Sequence, residues 1–204
     1  MSLNRIGSLV AYALISDADL SVPLYPRQRY DEVIGCSHDR VKVEKYLVWK
    51  LLEKVATDCL NLDFANLQFT KTSNGQWICP DFHFSLSHTD GLVCVAVSHS
   101  AIGVDAEAVR KIRDAISGKI LTANELSVKE RLVGEEGNAY LLESWVRKES
   151  IFKKSGGTAM MPTEIEASEH PTALRRISVN GREYIISVCC DDADKTEFKY
   201  MEEI

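Results

Sequence analysis

Long apolar runs are missing from this sequence. The longest, around residues 91–97, is strand-sized, against the roughly 18–20 residues of a helical membrane span. The first residues, Met1-Ser2-Leu3-Asn4-Arg5, lack the apolar core of a signal peptide, so a cytoplasmic protein with no membrane partner is expected. C-x-x-C pairs are missing too. Cys36, Cys59, Cys79, Cys94, Cys189 and Cys190 are spaced for neither a zinc site nor a disulfide framework, and read as buried, reduced thiols. Positive charge is in deficit. The 24 Lys and Arg against 30 Asp and Glu leave a net charge of −6, which argues against a nucleic-acid partner. A local basic patch can survive inside that balance. Internal repeats and low-complexity stretches are also lacking.

What is present is an ordinary globular composition: 45% hydrophobic and 26% charged over 204 residues, enough for one large domain or two small lobes. Residues 7–14 read as a buried strand and residues 23–40 as a polar connection. Residues 41–57 read as a helix, with Val43, Leu47, Leu51 and Val55 at a stride of four. Thr72-Ser73-Asn74-Gly75 is a turn. Residues 82–88, 92–98 and 101–107 follow as strands. Thr122-Ala123-Asn124-Glu125 has the form of a capping box that opens a helix. Residues 138–154 are the clearest helix, ended by Gly156-Gly157. Residues 172–178 and 183–190 read as strands joined by Asn180-Gly181. The acidic tail beyond Asp191 reads as solvated, with Phe198 and Tyr200 as anchors. Each half thus carries strands and one long helix, an α+β order with mostly antiparallel pairing. The element order divides it into lobes 1–101 and 102–204.

Three segments carry chemistry. In Ile102-Gly103-Val104-Asp105-Ala106-Glu107, strand alternation puts Ile102, Val104 and Ala106 on one face and both carboxylates on the other. Such a pair suits a hard cation such as Mg²⁺, and equally suits a strand with a solvated polar face. In residues 142–154, Glu149 shares the apolar stripe of Leu142, Trp145, Val146 and Phe152. A carboxylate there needs a partner, and Lys153, one turn on, offers one; an ordinary i,i+4 surface pair is the alternative. In Phe82-His83-Phe84-Ser85-Leu86-Ser87-His88, the aromatic side chains face one way and the serines the other. His88 ends the strand, where a histidine serves as structural hydrogen-bonder or as ligand contact.

Taken together and in order, Ser85-Leu86-Ser87-His88, Gly103-Val104-Asp105-Ala106-Glu107 and Trp145-Val146-Arg147-Lys148-Glu149-Ser150-Ile151-Phe152-Lys153 resemble the motifs of the 4′-phosphopantetheinyl transferase superfamily. The Asp-x-Glu form and the chain length resemble its larger, single-chain Sfp-type class. The resemblance implies a pseudo-twofold pair of α+β lobes with coenzyme A and Mg²⁺ in the cleft between them. It also implies a monomer that moves phosphopantetheine from coenzyme A to a serine of an apo acyl or peptidyl carrier protein, releasing 3′,5′-ADP. By that resemblance Asp105, Glu107 and Glu149 hold Mg²⁺, and Glu149 also serves as general base. Lys153 sits at the pyrophosphate, with Lys148 a second candidate for that place. Ser87 and His88 contact coenzyme A, and Arg40 joins His88 at the 3′-phosphate. Arg27 and Arg29 lie where the family has further basic residues.

The chain departs from the family pattern at two turns. Gly75-Gln76-Trp77 stands where the family has a lysine contact to coenzyme A, which leaves Lys71 as a candidate replacement. Gly156-Gly157-Thr158-Ala159 replaces a Gly-x-Gly-Leu loop. Arg110, Lys111, Arg113 and Lys119 form a basic run just past the acidic strand, suited to an acidic carrier helix. Two other classes stay open on the residues alone: a non-catalytic carrier-protein or coenzyme A binding module, and a metal-dependent phosphodiesterase.

Overall fold

The structure, a computed structural model, describes residues 7–202 and 204, so the N-terminal pentapeptide lies outside the described residues. It is α+β. A four-stranded sheet contains β1 (Ser8–Leu14), β4 (His83–Thr89), β5 (Leu92–Ser98) and β9 (Glu197–Tyr200), in the order β4-β5-β1-β9. A three-stranded sheet orders β6 (Gly103–Ala108), β8 (Arg182–Cys189) and β7 (Thr172–Val179) as β6-β8-β7. A small hairpin pairs β2 (Thr70–Lys71) with β3 (Trp77–Ile78). The helices are α1 (Arg27–Ile34), α2 (Asp39–Lys54), α3 (Ser117–Ile120), α4 (Ala123–Lys129) and α5 (Glu135–Ser155).

Alternation along the strands builds the layers. Leu9, Ala11, Ala13, Val93, Val95 and Val97 face α2 and its aromatic neighbours, where Trp49 packs edge-on against Phe69, Trp77 and Phe84. The opposite faces of the same strands, through Val10, Leu92, Cys94 and Ala96, meet Val104, Ala106, Ile186 and Val188 of the second sheet. The far face of that sheet takes α5 through Ile185, Leu142 and Val146. All six cysteines are free, four of them buried.

Two expectations need correction. The connection expected at residues 23–40 contains α1. Pro26, with φ −73°, leads into it, Arg27 pairs with Asp31 one turn on, and only Arg29 and Val33 are buried. That polar surface hid the helix from a reading by apolar periodicity. The tail beyond Asp191 is not simply solvated. It forms β9, parallel to β1, with Phe198 against the inter-sheet core and Tyr200 against Tyr12 at a ring distance of 5.6 Å. The other differences are at boundaries: α2 begins at Asp39 and passes after Lys54 into a π-turn, and α5 begins at Glu135. The capping box at Thr122 and Glu125 is complete, and Asn180 and Gly181 adopt φ of 50° and 75° in the hairpin turn.

Gly103 sets how closely α5 lies on β6. A Cβ there would stand 2.0 Å from the Ser150 carbonyl oxygen and 2.4 Å from the Lys154 nitrogen, both helix backbone that cannot swing aside. Gly103→Ala is therefore expected to destabilise the protein by about 1–3 kcal/mol or more, as overpacking does. A urea midpoint indistinguishable from the parent would show that α5 can retreat without cost.

Candidate active site

Strands β4 and β6 lie side by side at the edges of different sheets, and side chains rather than carbonyls join them. The hydroxyls of Ser85, Ser87 and Thr89 accept from the amides of Val104, Ala106 and Ala108, at 3.0, 3.2 and 3.3 Å. A hydroxyl at every second residue of β4 thus meets every second amide of β6. The same hydroxyls turn to the acids beside them. Ser87 Oγ donates to Asp105 Oδ1 at 2.9 Å, and Thr89 Oγ1 donates to Glu107 Oε2 at 3.3 Å.

From the other side α5 delivers Glu149 and Lys153. The Lys153 ammonium donates to Asp105 Oδ1 at 2.7 Å and to Ser87 Oγ at 3.3 Å. Asp105 is only 7% exposed. Glu107 and Glu149 are half-buried, and both titrate above the usual carboxylate range. Burial is the first cause for each and the charge of Asp105 the second. Arg110 opposes the shift at Glu107 and Lys153 opposes it at Glu149, while Glu107 adds to the shift at Glu149. Three acids therefore share one neighbourhood with Lys153. Among the described residues no three His, Cys, Asp or Glu side chains close into a ready metal cage. The donor set still suits Mg²⁺, which takes one or two carboxylates and completes its shell with water and phosphate oxygens.

Beside this cluster lies a cavity of about 320 Å³, lined by Gln76, Ser85, Leu86, Phe152, Lys153 and Gly156. Gln76, where the family pattern has lysine, thus lines this cavity. Lys71 is committed elsewhere, to Glu32 at 2.6 Å. Arg40 and His88 converge on Glu44. Arg40 Nε donates to Glu44 Oε1 at 2.8 Å, and His88 Nδ1 lies 3.1 Å from Glu44 Oε2. Burial pulls His88 below the usual histidine range, Glu44 opposes it, and Lys153, Lys45 and Arg29 add to the lowering. Arg27 is an exposed partner of Asp31. Arg29 is buried over the Trp49 ring, 4.9 Å from its centre, and its Nε has no hydrogen-bond partner among the described residues.

Lys148 does not join the cluster. It is fully buried, pairs with Glu125, and donates to the carbonyls of Ile120 and Pro162, both at 2.8 Å. In this arrangement it anchors the α3–α4 region and the turn at Pro162–Glu164 to α5, so its assignment to the pyrophosphate is replaced by a structural role. Of the residues passed over in the sequence, Thr89 was signalled by the period-two hydroxyls of β4. Glu44 was signalled only by lying four residues beyond Arg40. Among the described residues no helix is long and apolar enough to cross a membrane.

Removing one member of a buried ion pair strands the other. Lys148→Met is expected to cost about 3–5 kcal/mol, read by chemical denaturation. A loss below about 1 kcal/mol would put the pair on a par with exposed ones.

Residues 101–199 match the 4′-phosphopantetheinyl transferase superfamily. The chain is 29% identical over 117 residues to 4′-phosphopantetheinyl transferase ffp of Bacillus subtilis, covering 56% of this chain and 52% of that one. It is 28% identical over 109 residues to 4′-phosphopantetheinyl transferase psf-1 of Bacillus pumilus, covering 52% and 47%. A further 4′-phosphopantetheinyl transferase of Bacillus subtilis aligns over 175 residues at 25% identity, covering 76% and 78%. The chain thus spans about half the length of the first two relatives and over three-quarters of the third. The match covers β6 and α5, the two elements that carry Asp105, Glu107, Glu149 and Lys153 into one cluster, and in that half the chain is similar to the 4′-phosphopantetheinyl transferase superfamily.

Proposed function

We propose that the protein transfers 4′-phosphopantetheine from coenzyme A to a serine hydroxyl of an apo acyl or peptidyl carrier protein, releasing 3′,5′-ADP, in a cleft between lobes 1–101 and 102–204. The observation that carries this reading is the cluster itself: Asp105, Glu107 and Glu149 in one neighbourhood, with the Lys153 ammonium on Asp105. Asp105, Glu107 and Glu149 are the proposed Mg²⁺ ligands, and the ion when bound would neutralise charge on the pyrophosphate. Lys153 stands within reach of the same charge. Glu149 takes the proton of the carrier serine as general base. Ser87 faces coenzyme A, and His88 and Arg40 face its 3′-phosphate.

Incubation with coenzyme A, Mg²⁺ and an apo carrier, followed by weighing of the carrier, tests the reading. A carrier heavier by one phosphopantetheinyl group supports it. Coenzyme A binding with no transfer would favour a binding module, and hydrolysis of simple diesters without a carrier would favour a phosphodiesterase. Transfer that survives exhaustive chelation would remove the metal assignment. In the same assay Glu149→Gln is expected to lower kcat by about a hundred-fold or more while coenzyme A affinity holds, since the amide cannot accept the proton. Equal losses in both, recovered by excess Mg²⁺, would make Glu149 a ligand only.

The carrier surface is proposed at the basic run past β6. Arg110, Lys111 and Arg113 line a cavity of about 980 Å³ with Arg176, over an apolar floor that includes Leu142 and Ile185. Lys119 lies outside that lining. Arg110 also stands 3.9 Å from Glu107, so this surface borders the acidic cluster. Exposed ion pairs are each worth under about 1 kcal/mol, so single reversals should do little. Reversing Arg110, Lys111 and Arg113 together is expected to raise the carrier KM, most at low salt, and to spare coenzyme A binding. An unchanged carrier KM at low ionic strength would put docking elsewhere, most plainly on residues 147–154 of α5.

A further inference from the structure

Glu44 is a buried acid that the proposed chemistry does not use. It lies on α2, one turn beyond Arg40, and is only 6% exposed. Its two oxygens are divided between two chain segments. Oε1 accepts from Arg40 Nε on its own helix, and Oε2 faces His88 Nδ1 on β4. A carboxylate taken out of water needs such partners, and here it finds both on one side of the fold.

We propose that Glu44 is a positioning residue that holds Arg40 and His88 as one preformed receptor for a terminal phosphate monoester, and so determines whether a ligand carrying that phosphate is preferred. The inference rests on the assignment of Arg40 and His88 proposed above.

Three observations support it. Holding Nδ1 of His88 leaves Nε2 as the free ring nitrogen, a division of the two nitrogens that a carboxylate neighbour commonly fixes. Holding Arg40 at Nε orients its fork, and Nη2 meets Asp90 Oδ1 at 2.9 Å. Asp90 in turn is held by Arg182, at 3.1 Å, from β8. The guanidinium is therefore fixed from two sides although most of it is exposed. Finally, the charges around His88 are unequal. Lys153, Lys45 and Arg29 disfavour the imidazolium, and Glu44 favours it. Burial disfavours it too, and Glu44 is the neighbour that opposes these effects, favouring the form in which Nε2 donates to a phosphate. Donors fixed before the ligand arrives spare it the ordering cost.

The test compares coenzyme A with 3′-dephospho-coenzyme A by calorimetry, on the parent and on Glu44→Gln. The parent is expected to prefer coenzyme A. Glu44→Gln, which keeps the shape but turns an amide donor towards a donor, is expected to weaken coenzyme A by about ten-fold or more and to leave the dephospho ligand unchanged. Equal weakening of both ligands would reduce Glu44 to a structural residue and overturn the proposal. Tighter coenzyme A binding would overturn it also, by making Glu44 a competitor of the phosphate. A parent that binds both ligands alike would remove the assignment of Arg40 and His88, and Glu44 with it. A parent that prefers coenzyme A beside a variant that still does removes Glu44 alone. Glu44→Asp keeps the charge and is expected to keep part of the preference. It carries the comparison if the Gln variant does not fold, and loss of all preference in a folded Glu44→Asp with the dephospho affinity intact would support the same assignment.

Discussion

Backbone contact between α5 and β6 at Gly103 is the constraint on which the site depends. A helix can lie this close to a strand only where no Cβ intervenes, and the space beside Gly103 is filled by the Ser150 carbonyl and the Lys154 amide. On the opposite edge of β6 the hydroxyls of Ser85, Ser87 and Thr89 bond its amides. One strand is thereby gripped from two sides. Its acids at 105 and 107 face both the hydroxyls of β4 and the polar end of α5. Ser150 Oγ and Ser187 Oγ, 2.9 Å apart, tie α5 to β8 next to the same contact. The buried hydrogen bonds in this joint are each worth about 1 kcal/mol net. Their larger effect is geometric, since they leave Asp105 no other place to go.

The electrostatics follow from that geometry. Burying three acids together raises Glu107 and Glu149, because ionising each is opposed by lost water and by the charge of Asp105. Lys153 relieves part of this at Glu149. The remainder is a standing demand for positive charge at a cleft, which a hard cation meets best with water and phosphate completing its shell. Around His88 three cations stand against the one acid Glu44. Lys153, Lys45 and Arg29 surround His88, and Arg29 is buried with its Nε unsatisfied among the described residues. Acids gathered at one end and cations set beside Glu44 at the other would suit a ligand that carries more than one phosphate.

Much of this was legible in the chain. Strand alternation placed Asp105 and Glu107 on one face, the capping box announced α4, and the spacing of Glu149 and Lys153 put them on one side of α5. What escaped the sequence escaped for physical reasons. The helix at Arg27–Ile34 buries only Arg29 and Val33, so its periodicity carries no apolar signal. The strand at Glu197–Tyr200 has alternating polar residues because it is an edge, and its partner lies nearly the whole chain away at β1. Glu44 reads as a surface residue one turn from Arg40, and only His88, from a distant strand, reveals it as buried.

Lys148 shows why a motif lysine is not placed by its spacing alone. At about 100° per residue, Lys153 stands about 40° from Glu149 around the helix, whereas Lys148 stands about 140° from Lys153. The first pair must share a face, and they share the one turned to Asp105. Lys148 must turn away from Lys153, and the space there holds Glu125 and two carbonyls at the ends of short segments. Those carbonyls belong to Ile120 and Pro162, 28 and 14 residues away in sequence. One ammonium therefore ties the stretch before α4 and the stretch after α5 to the helix that carries Glu149 and Lys153. The two lysines divide the labour of a single helix: Lys153 faces the acids of β6, and Lys148, in the core, fixes the angle from which the helix presents it.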